Sequence, residues 1–235
     1  MGRAVDIQGQ VAEGFERVRD TFEDNFTKRG ELGARFTVTL EGQTVVDLWG
    51  GTADIESKRD WDEQTLTMVF SSTKGMVALC FLLLADRGLL DYDAPVASYW
   101  PEFGAKGKEA ITVRELLNHR AGLITVDTPV TLEQLESDEP AIWKWLAEQE
   151  PVWSPGDDQG YHAVTYGMYA QALFQKIAGQ SLGSFFSTEV AGPLGADAYL
   201  GLPEGEHHRV ATTYRAPTSE LVTQAVPKLF FHSGL

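Results

Sequence analysis

Phe70-Ser71-Ser72-Thr73-Lys74-Gly75-Met76-Val77-Ala78-Leu79-Cys80-Phe81-Leu82-Leu83-Leu84-Ala85-Asp86-Arg87-Gly88 is the stretch on which the reading of this chain turns. From Lys74 to Arg87 it is apolar nearly all round, which predicts a buried helix, and Gly88 is its predicted stop. Ser71 and Lys74 stand one helical turn apart, on one side. A lysine at the start of a buried helix is expected to be poorly solvated. Desolvation favours the neutral amine, which can take the proton from a serine hydroxyl. The helix N-terminus favours developing negative charge, and the Ser71 N–H can help bind an oxyanion. The plainer reading is a serine N-cap followed by a solvated lysine. With 11 serines and 8 lysines among 235 residues, chance places a Ser-x-x-Lys roughly 0.4 times. The spacing alone leaves both readings open.

Upstream, Val11, Phe15, Val18, Phe22 and Phe26 recur every three or four residues and predict one face of an amphipathic helix. Arg35 to Trp49 alternates instead: Phe36, Val38 and Leu40 share one side, as do Val46 and Leu48. With Glu41-Gly42-Gln43 between the runs, this predicts a β-hairpin with one buried face, ended by Gly50-Gly51. Downstream the pattern is helical. Thr112-Val113-Arg114-Glu115 and Thr131-Leu132-Glu133-Gln134 match the capping box. Asp138-Glu139-Pro140 predicts another start, with proline in the first turn. Thr165 to Ala178 reads as a helix stopped by Gly179, and Ser181 to Val190 as a further short one. From Gly201 onward strand signals are weak. A lone hairpin is marginal in water, so partner strands must be weakly marked or lie beyond Leu235.

The formal net charge of -15 and the pI near 4.7 make nucleic acid an unlikely partner, since such a surface repels phosphate. Cys80 is the only cysteine, so no intramolecular disulfide forms; within an apolar run it reads as a core residue. The N-terminus shows no signal-peptide core. The apolar stretch Met76 to Ala85 is too short to span a membrane. Cytoplasm is the expected location.

Tyr161, behind the turn Trp153-Ser154-Pro155-Gly156, reads by itself as a packed loop tyrosine. Taken together, however, several segments resemble the serine β-lactamase and penicillin-binding-protein superfamily. Phe70-Ser71-Ser72-Thr73-Lys74-Gly75 resembles its Ser-x-x-Lys motif. Gly88-Leu89-Leu90-Asp91-Tyr92-Asp93-Ala94-Pro95-Val96 looks like the segment that follows. Ile111 to Leu123 looks like its LLxHxSGL segment, and Trp153-Ser154-Pro155-Gly156 with Tyr161 looks like its approach to Tyr-x-Asn. The likeness runs over residues 8–205 in family order and is closest to the class C-like branch, which includes family VIII carboxylesterases. It implies an α+β fold in which helices pack on an antiparallel sheet beside a mostly helical region. It also implies Ser71 as nucleophile, Lys74 as its base partner and Tyr161 as proton shuttle. Trp153 is expected to border the site.

Two departures shape the expectation. Tyr-x-Asn reads Tyr161-His162-Ala163 here. Alanine cannot make the asparagine's hydrogen bond to a β-lactam amide, which favours an ester, and His162 is the candidate for a polar contact to substrate in its place. The family's third motif, Lys-Thr-Gly or a variant on a late strand, does not follow Tyr161. That strand supplies an oxyanion donor and belongs to the sheet that the hairpin joins, so the chain is expected to be C-terminally truncated with an incomplete sheet. The expected division is 1–60, helix and hairpin, and 61–235, nucleophile helix and helical region. The leading expectation is a serine carboxylesterase acting on small-molecule esters through an acyl-serine, with no cofactor and no metal. The alternatives are a β-lactamase or D-amino-peptide hydrolase, and an inactive fragment or non-catalytic module that oligomerises to cover open sheet edges.

Three other signals are set aside. Gly179-Gln180-Ser181-Leu182-Gly183 matches a nucleophile elbow, but a helix precedes it where the elbow requires a strand; a helix stop and an N-cap explain it. His207-His208 with Glu204 and Glu206 reads as a solvated polar loop rather than a metal site. His119, near a helix end, reads as structural.

Overall fold

Alternating burial along one long strand organises the first part of the chain. The computed structural model describes residues 5–127, 130–131, 133–134 and 139–214. Its first elements are β1 (Ile7–Val11), α1 (Glu16–Arg29), β2 (Gly33–Leu40), β3 (Gln43–Asp54) and the short β4 (Arg59–Asp60). Val46 and Leu48 in β3 point to one face and are fully buried. With Ile7 and Phe22 they form a core that α1 covers, and Phe22 meets Phe26 edge to face at 5.2 Å. The sheet is antiparallel, in the order β1-β3-β2, with β4 also paired to β3. The hairpin turn is two residues, Glu41 (φ 51) and Gly42 (φ 79), the double positive-φ turn whose twist suits paired strands. Gln43 already pairs with Leu40.

Three expectations change here. Val11 belongs to β1, where it pairs with Val46, and the helix starts only at Glu16. The strand is hard to see in sequence because Gly9 interrupts its alternation; at φ 93 a Cβ there would collide with the Asp47 carbonyl. Phe36 and Leu40 are exposed, not buried, because β2 is an edge of the sheet among the described residues and α1 packs on β1 and β3. The boundary expected at 60/61 also moves. Among the described residues, those up to Met68 and those from Pro203 to Tyr214 form one compact unit, and those between Val69 and Leu202 the other. Ala53, Trp61 and Ala211 share a small core. Ala211 N–H donates to Leu66 O at 2.7 Å and Thr212 N–H to Ala53 O at 2.8 Å. These contacts tie the returning segment to the sheet.

The second unit is helical: α2 (Thr73–Asp86), α3 (Val113–Leu117), α4 (Glu139–Glu148), α5 (Thr165–Ala178), α6 (Leu182–Phe186) and α7 (Gly192–Leu194), with a π turn at Ser187–Ala191. Phe174 of α5 meets Phe81 of α2 at 5.3 Å and Phe185 of α6 at 5.0 Å, both edge to face. This aromatic column fixes how α2 packs. Only one side of α2 is buried, with Val77, Cys80, Phe81 and Leu84, while Leu79 and Leu82 are exposed. A sequence apolar on every side carries no signal for which face the core takes. Cys80 lies in the core, and burial pushes its thiol up to about 11.

Chain stops follow the sequence closely. Gly88 (φ 71) and Gly179 (φ 68) adopt the left-handed conformation after α2 and α5. Thr112 and Glu115 exchange capping bonds of 3.1 and 2.9 Å. Thr131 and Gln134 do likewise at 3.2 and 2.9 Å; the helix expected after them lies partly, and residues 215–235 wholly, outside the described residues. Lys108 is fully buried, its ammonium donating to Ala147 O at 2.8 Å and Gln149 O at 2.6 Å. It satisfies carbonyls left open at the end of α4. Among the described residues no helix is long and apolar enough to cross a membrane.

Candidate active site

Ser71 lies in a single 3-10 turn, Phe70–Ser72, that leads directly into α2. Phe70 takes φ 44, a conformation rare and costly for an aromatic residue. The N-cap position of α2 belongs to Ser72, and no side chain caps this helix. The serine N-cap reading of Ser71 therefore does not hold. Instead the Tyr161 hydroxyl donates to Ser71 Oγ at 2.6 Å, and the Lys74 ammonium donates to the same oxygen at 3.4 Å. Lys74 Nζ also donates to Ala163 O at 3.1 Å and stands 4.7 Å from the ring centroid of Tyr161 and 5.4 Å from that of Tyr166. Three residues expected to act together thus share one oxygen, with Lys74 held between aromatic faces that favour a cation.

The loop carrying Tyr161 is fastened to the segment after α3. Val152 N–H donates to Gly122 O at 2.9 Å, Gly156 N–H to Arg120 O at 3.0 Å and Gly160 N–H to His119 O at 3.1 Å. The Trp153 ring packs so closely on Gly160 that a Cβ there would collide with it. Trp153 is therefore half-buried beside the residue preceding Tyr161. Tyr161 itself is 48% exposed. Its phenol is held below the usual tyrosine range, first by the hydrogen bond with Ser71, then by the hydrogen bond and charge of Lys74. The phenolate gains from both once the Ser71 O–H turns to donate to it, the reverse of the hydrogen bond made by the neutral phenol.

His162 is placed otherwise than expected. It is 1% exposed, its Nε2 accepts from Leu123 N–H at 3.0 Å, and its Nδ1 lies 3.1 Å from His119 Nδ1. Burial, and next the neighbouring His119, push it down to about 4. With both ring nitrogens engaged inside the protein, it has no contact to offer a substrate. Sequence reasoning missed Tyr166, whose ring faces Lys74, and read as structural His119, which stands at the centre of the loop contacts. Its place near a helix end and its position within the family-like segment Ile111–Leu123 were the signals for His119. Ser181 is the N-cap of α6, accepting from Ser184 N–H at 3.1 Å. His207 and His208 lie in a 3-10 turn, Glu204–Arg209, of the other unit.

Residues 18–233 match the family model described as Beta-lactamase. The chain is 39% identical over 193 residues to the Esterase/beta-lactamase LipL of Mycobacterium tuberculosis, which covers 82% of this chain and 44% of LipL. Among solved structures it is similar to a novel penicillin-binding protein homolog from Caulobacter crescentus, with TM-score 0.84 and 42% identity over 91% of this chain and 57% of that one. It is likewise similar to a family VIII carboxylesterase, with TM-score 0.82 and 46% identity over 88% of this chain and 57% of that one. It spans about half the length of these relatives. A family match over most of the sequence, relatives well above 30% identity, and an α+β fold shared at high TM-score agree: the chain belongs to the beta-lactamase family.

Proposed function

We propose that this chain carries the nucleophile part of a serine hydrolase that cleaves small-molecule carboxylic esters through an acyl-serine intermediate. The observation that carries the reading is the shared oxygen: Ser71 Oγ lies 2.6 Å from the Tyr161 hydroxyl and 3.4 Å from Lys74 Nζ. With Tyr161 as the phenolate, its negative charge held by Lys74, Ser71 Oγ attacks the ester carbonyl carbon while the serine proton passes to the Tyr161 oxygen and leaves it a neutral phenol. Collapse of the tetrahedral adduct breaks the bond to the alcohol, which leaves with the proton. Water, deprotonated by the same pair, then attacks acyl-Ser71 and releases the acid. The position of the N-terminus of α2 next to Ser71 favours negative charge on the adduct.

An ester is preferred over a β-lactam because Ala163 supplies no side-chain hydrogen bond to an amide; its carbonyl is engaged by Lys74. The relatives' printed names include an esterase/beta-lactamase and a family VIII carboxylesterase. In this reading the chemistry resides in Ser71, Lys74 and Tyr161, with Trp153 at the border of the site. The protein works in the cytoplasm with no nucleic-acid partner. The test is labelling with a fluorophosphonate, with the adduct located by mass spectrometry. An adduct on Ser71 that disappears in Ser71→Ala, together with turnover of p-nitrophenyl esters, is expected. An adduct on Ser181, or undiminished esterase activity in Ser71→Ala, overturns the assignment. Rapid nitrocefin turnover with slow ester turnover overturns the choice of substrate.

A further inference from the structure

One residue holds Tyr161 from both sides. Gly160 N–H donates to the His119 carbonyl oxygen at 3.1 Å, and His162 N–H donates to His119 Nδ1 at 3.2 Å. Between them the Tyr161 ring meets the His119 ring edge to face, with centroids 4.9 Å apart. His119 has φ 69, a left-handed conformation that a non-glycine residue keeps only where its surroundings impose it.

The hydrogen bonds also fix where the protons are. Leu123 N–H donates to His162 Nε2 at 3.0 Å, so that nitrogen is bare and the proton of neutral His162 sits on Nδ1. This Nδ1–H lies 3.1 Å from His119 Nδ1, which must be the acceptor. His119 Nδ1 therefore receives two N–H groups, and its own proton is on Nε2. The titratable and charged groups facing His119 are Lys74 on α2, Tyr161 and His162 on the tyrosine loop, and Tyr166 on α5. Burial, and then the charge of Lys74, hold His119 below the usual histidine range.

We propose that His119 is a positioning residue for Tyr161, and that it works only as the neutral imidazole protonated on Nε2. A proton on His119 Nδ1 would face two N–H groups at once, break both contacts, and free the segment that keeps the phenol at Ser71. The proposal rests on the serine-hydrolase reading for its effect on rate, but not for the proton arrangement itself. It predicts an acid limb in Ser71 reactivity that belongs to a residue touching neither substrate nor serine.

The experiment measures the rate of Ser71 labelling by a fluorophosphonate from pH 4.5 to 8 in the wild type, His119→Asn and His119→Ala, beside 15N NMR of the imidazoles in the 235-residue chain. Asparagine keeps an acceptor oxygen near the place of Nδ1, tolerates a left-handed φ, and does not titrate. At pH 7.5 the Ala variant is expected to lose about 10- to 100-fold in rate, with the Asn variant recovering most of it. Tyr161 gives every variant that retains it a rate rising with pH; below the His119 transition the wild type is expected to fall more steeply than this, and the Asn variant to lack that extra fall. The NMR is expected to place protons on His162 Nδ1 and His119 Nε2. An Ala variant as fast as wild type, the extra steepening retained in the Asn variant, or a proton on His119 Nδ1 at pH 7.5 overturns the proposal. Should the Ala variant fail to fold, the Asn profile and the wild-type spectrum still decide. Should the wild type show no labelling, the hydrolase reading fails on its own. The Tyr161 13Cζ shift then decides the positioning role: moved in Ala but restored in Asn supports it, and unchanged in both refutes it.

Discussion

Replacing Tyr161 by phenylalanine removes one oxygen atom and leaves the ring. The ring is what meets His119 at 4.9 Å and faces the Lys74 ammonium at 4.7 Å, so packing around the loop should survive. The lost hydrogen bond joins two exposed side chains, and its net contribution to stability is about 1 kcal/mol or less. The effect on chemistry is far larger if the phenol moves the serine proton. A positioned acid–base group contributes about 10²- to 10⁴-fold, which is roughly 3 to 5 kcal/mol of barrier. The assay is single-turnover acylation with a p-nitrophenyl ester in stopped flow, with urea unfolding as control. The pH profile adds a second reading. Because Ser71 and Lys74 hold the phenol below its usual range, the wild-type rate should rise with pH and level off before pH 10, as the active phenolate fills. Tyr161→Phe should lose that rise. A Tyr161→Phe protein that folds normally and acylates within about threefold of wild type would refute the role of Tyr161 as proton carrier.

Three further outcomes concern stability. Phe174→Ala removes the shared partner of Phe81 and Phe185 and should cost about 3 to 5 kcal/mol, read as a fall in the urea midpoint. Lys108 is buried with its amine pushed down to about 8, by desolvation above all. The unfolded chain therefore binds the extra proton between about pH 8 and 10.5, and stability should rise with pH across that window. Between pH 7.5 and 9.5 the wild type should gain about 2 kcal/mol relative to Lys108→Met, checked by urea unfolding at both values. His162, held near 4 against 6.5 in the unfolded chain, acts in the same direction at lower pH. Its contribution is complete above pH 6.5 and is lost on acidification, about 2 kcal/mol by pH 5, a loss that His162→Gln should not share.

Much of this molecule was legible in the linear chain because its signals are local. The stops at Gly88 and Gly179 and the caps at Thr112 and Ser181 need only a few neighbouring residues, and they lie where the sequence places them. The helix over Thr165–Ala178 follows from its own apolar period. Ser71 and Lys74 are one turn apart, so helix geometry alone puts them on the same side. Other features depended on partners far away in sequence. Strand β1 exists because Ile7–Val11 finds β3, although Gly9 spoils its pattern. Which face of α2 is buried was decided by Phe174 and Phe185. His162, polar and beside the candidate tyrosine, looked like a substrate contact until Leu123 and His119 were seen to occupy both its nitrogens. The meeting of Tyr161 with Ser71, ninety positions away, rests on hydrogen bonds from Val152, Gly156, Gly160 and His162 to the segment His119–Gly122 after α3. The sequence determined the elements and named the reactive side chains, because propensity, capping and periodicity act over a few residues. Only the tertiary structure decided which of them share an oxygen and which are buried, because long-range packing sets both and no local pattern encodes it.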